Sequence, residues 1–164
     1  MTLVRSIARV VLPASLRRAV RRLGRRIRCF GISRLCPVCH SYLRQFNTFS
    51  YMGRKRADAL CPVCGSLERQ RLIWLYLQAR TNLFDGKPKR MLHIGPEACF
   101  VRRFQRVRSL DYLSADLVNP LAMEKMDITA IPYPSCTFDV ILSSHVIQHI
   151  RDEQKALSEL FRVL

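Results

Sequence analysis

Acidic residues are missing from the whole N-terminal third of this chain: residues 1–57 hold 14 lysines and arginines and no aspartate or glutamate, whereas residues 58–164 hold 14 against 12. Nearly all of the formal net charge of +16 therefore lies in one stretch, which excludes a charge-balanced surface there. Long hydrophobic runs are also lacking. None approaches the roughly 20 residues that span a bilayer, which excludes a spanning helix and leaves a soluble or peripheral protein. A secretory leader with an uncharged apolar centre is not seen, so the seven cysteines are expected in a reducing cytoplasm. Serine is scarce near the start, Ser6 and Ser15 being fewer than a transit peptide usually carries. At 164 residues and 49% hydrophobic content, the chain has room for one medium domain and a small module.

What is present is most specific at Cys36, Cys39, Cys61 and Cys64, two identical Cys-Pro-Val-Cys tetrapeptides with 21 residues between them. A four-thiolate tetrahedron needs sulfurs in close pairs, and each tetrapeptide supplies one pair from one tight turn. Pro37 and Pro62 set φ within the turns, and Gly65 lets the backbone curl round the second pair. Two disulfides or free thiols are the other uses of such residues, but repeated paired knuckles favour a structural zinc. A closed four-cysteine shell leaves no open coordination position, so this metal would organise structure and not catalyse. Cys29, Cys99 and Cys136 fall outside the two tetrapeptides.

Four segments follow along the chain. Residues 1–33 form a basic arm. After Pro13, Leu16, Val20, Leu23, Ile27 and Phe30 recur at spacings of four and three, with arginines at 17, 18, 21, 22, 25, 26 and 28 between them, the pattern of an amphipathic basic helix. It could lie on an anionic membrane, grip the phosphates of nucleic acid, or pack its stripe on a neighbouring domain. Gly24 weakens it by up to about 1 kcal/mol. Residues 34–65 form the zinc module, in which Tyr42, Phe46, Phe49 and Tyr51 precede Arg54, Lys55 and Arg56. These could stack bases and hold phosphates, or the aromatics could cover the metal site of a module too small for a proper core. Residues 66–87 link onward through a helix over 67–80, capped by Ser66, whose Leu72, Ile73, Leu75, Tyr76 and Leu77 form a wide apolar face.

From residue 88 to 164 strand and helix alternate. Strands are predicted at 91–94, 111–115, 125–126 and 138–142, and helices at 97–107 and from 151 to the end, the last with Ala156, Leu157, Leu160, Phe161 and Leu164 on its apolar side. This order predicts an α/β fold with a parallel, doubly wound, Rossmann-like sheet. Ligands of such sheets bind beyond the carboxyl ends of the strands, where Gly95, Asp116, Asp127 and Ser143-Ser144-His145 fall.

The stretch MDITAIPYPSCTFDVILSSHVIQHIRDEQKALSELFRVL resembles the central part of class I S-adenosylmethionine-dependent methyltransferases of the type 11 kind, and CPVCGSLERQRLIWLYL followed by MLHIGPE resembles a bacterial subgroup with a preceding zinc ribbon. The resemblance covers about residues 34–164. It implies that Gly95 is the first glycine of the cofactor loop, that Asp116 accepts from the ribose hydroxyls, that Asp127 lies by the adenine amino group with Ile128 against the ring, and that Ser143 and Ser144 line the space between cofactor and acceptor. It implies S-adenosylmethionine as cofactor beside the structural zinc.

Two departures stand beside it. The usual loop opens with an acid and carries three glycines, whereas here His93-Ile94-Gly95-Pro96-Glu97 has one; Glu97 either replaces a contact to the cofactor ammonium or is a favourable acid at a helix start. Family members also continue through further strands, so about four of seven would be present, with residues 138–142 at an edge, and the chain would be a fragment, the product of an interrupted gene, or be completed by another chain. His93 reads as structural. His145 and His149 are spaced for a metal or a base but lack the glutamate of a metalloprotease motif. The reading is a methyltransferase acting on a small-molecule or lipid-linked acceptor, with an anionic membrane surface reached through residues 1–30. The alternative is a non-enzymatic module that binds nucleic acid or membrane beside a degenerate α/β part.

Overall fold

The computed structural model describes residues 13–164, so the first twelve residues of the basic arm lie outside the described residues. The chain divides into two compact units, residues 1–74 and 75–164.

In the first unit, α1 (Ala14–Arg28) starts directly after Pro13, which has no amide hydrogen to leave unpaired at a helix start, and Arg25, Arg26 and Arg28 sit at the negative end of its dipole. Two antiparallel hairpins follow, β1 (Arg34–Cys36) with β2 (Ser41–Leu43), and β3 (Asn47–Tyr51) with β4 (Arg54–Leu60). Each knuckle closes through a backbone bond to the first cysteine's carbonyl, from His40 N at 2.8 Å and from Gly65 N at 2.9 Å. Both closing residues are left-handed, with φ of 52° at His40 and 77° at Gly65.

Polar clamps substitute for a large core. Asp58, the first acid of the sequence, accepts from Phe46 N at 2.7 Å and from Arg34 Nε at 3.1 Å, tying the hairpins together. The bond from the Phe46 amide, ahead of the Arg34 guanidinium, holds its carboxyl below the usual range. Arg71 donates to the carbonyls of Ala59 and Ser66 and lays its guanidinium 3.9 Å from the Phe46 ring centre. Of the four aromatics expected to cover the metal site, Phe46 alone is buried; Tyr42 and Tyr51 are exposed, and Phe49 stacks on Tyr51.

Helix α2 (Glu68–Arg80) begins in the first unit and ends in the second. Its first turn is closed by Gln70 Oε1, which accepts from Leu67 N at 2.6 Å, and not by Ser66. The apolar face is also narrower than the sequence suggests. Trp74 and Leu77 are buried, whereas Leu72, Leu75 and Tyr76 are exposed.

The second unit contains β5 (Lys89–Ile94), α3 (Ala98–Phe104), β6 (Leu110–Asp116), β7 (Glu124–Lys125), β8 (Val140–Ser143), a 3-10 turn at Ile147–His149 and α4 (Glu153–Val163). The strands make one parallel sheet in the order β7-β6-β5-β8, with Met91 opposite both Tyr112 and Val140. This is the partial Rossmann-like sheet expected from the alternation of elements. The third and fourth strands are shifted from residues 125–126 and 138–142, and Phe138 precedes β8 as a buried core residue.

Central strand β5 is buried on both faces. Leu92 and Ile94 join Ala115, Met126, Ile128, Ile131 and Phe138 in a cluster closed by Ala156 and Val163 of α4. His93 lies instead among Phe100, Phe104 and Tyr112. Burying such a cluster contributes about 1.5–3 kcal/mol per large side chain, which makes it the main source of stability in this unit. Helix α4 buries less than predicted: Ala156 and Val163 are inside, while Leu157, Phe161 and Leu164 are exposed. Its other anchor is polar. Arg162 donates to the carbonyls of Ile131 and Tyr133, and Glu159 accepts from Ile131 N. The bonds from Arg162 and then from the Ile131 amide lower the Glu159 carboxyl to about 2.

Candidate functional site

The first site is the cluster formed by the two knuckles. Cys36, Cys39 and Cys61 are buried and Cys64 half-buried, and their four Sγ atoms lie within 4.8 Å of one another. Cys36 and Cys64 are 3.7 Å apart, and Cys39 and Cys61 3.8 Å. A tetrahedron with zinc–sulfur bonds of about 2.3 Å has edges of about 3.8 Å, so the donor set and its spacing are compatible with zinc. Four facing thiols cannot all ionise without a cation between them. Hydrogen bonds from Cys39, Cys61 and Cys64 hold Cys36 far below the usual thiol range, and Cys61 and Cys64 are pushed up, chiefly by Cys36. Cys39 is raised by Cys36 but lowered more by Cys61 and Cys64, to about 6. A divalent cation removes this competition, since thiolates are its ligands.

The hydroxyls around the sulfurs are placed as outer support. Ser66 Oγ lies 3.2 Å from Cys64 Sγ and 3.4 Å from Cys36 Sγ, which is why it is not a helix cap. Ser41 Oγ lies 3.2 Å from Cys39 Sγ and accepts from Arg26 Nε at 3.0 Å, so its own hydrogen is available to the sulfur. Arg26 also donates to the Cys39 carbonyl at 2.8 Å, fixing α1 to the first knuckle.

The second site is a cavity of about 450 Å³ at the carboxyl ends of the parallel strands, within the roughly 300–1,000 Å³ of small-molecule sites. It opens where strand order reverses, between β5 and β8. Gly95 lies at its floor with φ +63°; a Cβ there would meet Val146 Cγ2 at 2.6 Å. Glycine is thus required twice, by the backbone and by the space. Asp116 closes the β6 end: Oδ1 accepts from Val118 N at 2.8 Å and Asn119 N at 2.7 Å, while Oδ2 is 3.7 Å from the position of a Gly95 Cβ. Asp127 accepts from the amide and hydroxyl of Thr129 at 2.9 and 2.8 Å, which in that order hold its carboxyl below the usual range. Ile128 and Met126, both buried, give the cavity an apolar wall.

Of the residues singled out in the sequence, Gly95, Asp116, Asp127 and Ile128 line this cavity together. Glu97 and Ser143 do not. Glu97 Oε2 is 2.8 Å from His93 Nε2, and His93 Nδ1 is 2.9 Å from Tyr112 Oη. With the ring hydrogen on Nε2, His93 donates to Glu97 and accepts at Nδ1 from Tyr112, whose phenol burial pushes up to about 12. Of the two serines expected there, Ser144 lines the cavity, whereas Ser143 Oγ is buried with no partner among the described residues. His145 and His149 both line the cavity, but His145 has φ 58° and residues 147–149 form a 3-10 turn. They therefore lack the shared α-helical face on which i, i+4 ligands meet. Sequence reasoning missed Asn119, whose Nδ2 donates to Pro96 O at 3.2 Å and joins two cavity loops. The signal was Asp116 followed by Asn119 just after a strand, a turn-forming pair.

Residues 98–164 match the family described as Methyltransferase domain. Over this stretch the chain is similar to methyltransferase domains. The match contains Asp116, Asp127 and Ile128 and begins after β5 and the Gly95 loop, which the geometry above joins to the same cavity. Domains of this family generally use S-adenosylmethionine. No curated protein and no solved structure matches the chain. Among the described residues, no helix is long and apolar enough to cross a membrane.

Proposed function

We propose that the protein transfers a methyl group from S-adenosylmethionine to a small-molecule or lipid-linked acceptor, and that its four knuckle cysteines hold a structural zinc ion. The observation that carries this reading is the convergence of Gly95, Asp116 and Asp127 from three strand ends on one cavity within or beside the stretch similar to methyltransferase domains. Bound S-adenosylmethionine supplies an electrophilic methyl group on a sulfonium that leaves readily. The protein's task is then mainly to position and to exclude water. Gly95, with no side chain, lets the backbone approach the ligand. Asp116 has one oxygen committed to its turn and the other toward the cavity, suited to accept from a vicinal diol. Asp127 stays ionised at neutral pH and offers an acceptor to an amino group, beside the flat apolar contact of Ile128. Ser144, His145 and His149 line the remaining wall, where an acceptor would enter. A reducing cytoplasm suits a cluster that needs four reduced cysteines.

The test is calorimetric titration of S-adenosylhomocysteine into the zinc-loaded full chain and into Asp116→Asn. Asparagine keeps the turn-forming oxygen and removes the second acceptor, so a folded variant that binds at least tenfold more weakly supports the reading. A folded wild type with no binding overturns it and favours a non-enzymatic module.

A further inference from the structure

Among the described residues of its unit, nothing covers the apolar stripe of α1. Leu16, Val20, Leu23 and Ile27 are 46, 55, 59 and 71% exposed, and the stripe continues past the helix end through Phe30 and Ile32. At about 100° per residue these four helical positions fall within an arc of about 60°. Arg21, Arg25 and Arg28 are exposed on the rest of the circumference. Arg26 is turned away from the stripe to Ser41 and Cys39, so the knuckle grips one flank of the helix and leaves the stripe outward. The surface is apolar along one line and cationic beside it, with no carboxylate in residues 1–57 to oppose an anion.

We infer that α1 docks on an anionic phospholipid surface, its aliphatic stripe entering the headgroup and acyl boundary while the flanking arginines pair with lipid phosphates. Charge complementarity and the stripe argue for this occupant together. A nucleic acid would satisfy the arginines but leave four aliphatic side chains in water, since bases stack on aromatic or guanidinium planes. A second copy of the helix would satisfy the stripe but bring like charges together. A lipid surface satisfies both, as for helices that lie in the interface plane. This inference does not depend on the methyl-transfer reading.

The test is flotation of the full zinc-loaded chain with vesicles of phosphatidylcholine alone and with about one third phosphatidylglycerol, at near-physiological salt. The wild type is expected to float with the anionic vesicles and to remain behind with neutral ones. Val20→Ser/Leu23→Ser/Ile27→Ser, which keeps every charge, is expected to weaken anionic binding at least tenfold, and Arg21→Gln/Arg25→Gln/Arg28→Gln to abolish the preference for anionic lipid. The milder Ile27→Gln, at the most exposed helical stripe position, is expected to fall between and serves if the triple serine variant loses the emission of buried Trp74. Full vesicle binding by the stripe variants, equal binding to neutral vesicles, or tighter wild-type binding to single-stranded RNA than to anionic vesicles would each overturn the inference.

Discussion

The two units solve the same problem with different means. Residues 34–65 contain strands paired only in twos, and their interior is four sulfurs, a few apolar side chains and the clamps of Asp58 and Arg71. Residues 89–163 contain a four-stranded sheet over a contiguous apolar cluster. In the first, the groups with the chemistry are the groups that hold the fold, so function and stability fall together. In the second, the apolar cluster bears the fold and frees the strand ends, so Gly95, Asp116 and Asp127 can serve a ligand. The difference teaches where a substitution should be expected to unfold and where only to disable.

The largest effect should come from breaking the first unit's cluster. Cys61→Ser, or metal removal by a strong chelator, takes away most of a binding free energy of about 10–16 kcal/mol, more than such a module can spare. Amide exchange should then lose protection over residues 34–65 and keep it in β5 and β6. Protection that persists in the knuckles after stoichiometric metal loss would erase the distinction drawn between the units. Gly95→Ala tests the opposite case. It forces an alanine to φ +63° and a methyl group 2.6 Å from Val146 Cγ2, a strain of about 1–3 kcal/mol. We expect the second unit to stay folded with a melting temperature lower by several degrees, and S-adenosylhomocysteine binding to fall at least tenfold. A variant with unchanged affinity would remove Gly95 from the site.

How much could be read in advance follows the same division. The Cys-Pro-Val-Cys pairs were legible because metal-ligand geometry is local, each pair being made by one turn. Asp116 and Asp127 were legible because strand ends in a parallel sheet point to one edge. Glu97 was not, because its partner His93 is chosen by the packing of Tyr112 and Phe104, and in sequence it remains a generic acid at a helix start. Ser143 and Ser144 are adjacent, and which one faces the cavity depends on where β8 ends. The faces of α2 and α4 were overestimated because leucine and phenylalanine count as apolar wherever they fall, and Leu72 and Phe161 are exposed.

Glu97→Gln sharpens the comparison within the second unit. The buried bond to His93 becomes neutral and loses part of its strength, a cost of about 1–2 kcal/mol to stability. Because Glu97 does not line the cavity, affinity for S-adenosylhomocysteine should change less than threefold, about 0.6 kcal/mol. A tenfold loss of affinity with normal stability would restore Glu97 as a ligand contact.

The smallest expected effect compares the knuckles with each other. Both need a left-handed residue after the second cysteine; the second knuckle has Gly65 there, and the first has His40 at φ 52°. A non-glycine residue in that region costs roughly 1–2 kcal/mol, while a new glycine costs roughly 0.5–1 kcal/mol through the entropy of the unfolded chain. His40→Gly should therefore stabilise the metal-loaded first unit by about 0.5–1 kcal/mol, and Gly65→Ala, where an added Cβ meets nothing within 4 Å, should destabilise it by about the same amount. Denaturant titration of the loaded protein measures both. If His40→Gly is neutral or harmful, the exposed imidazole contributes something that the backbone argument does not contain, and the two knuckles are not equivalent turns.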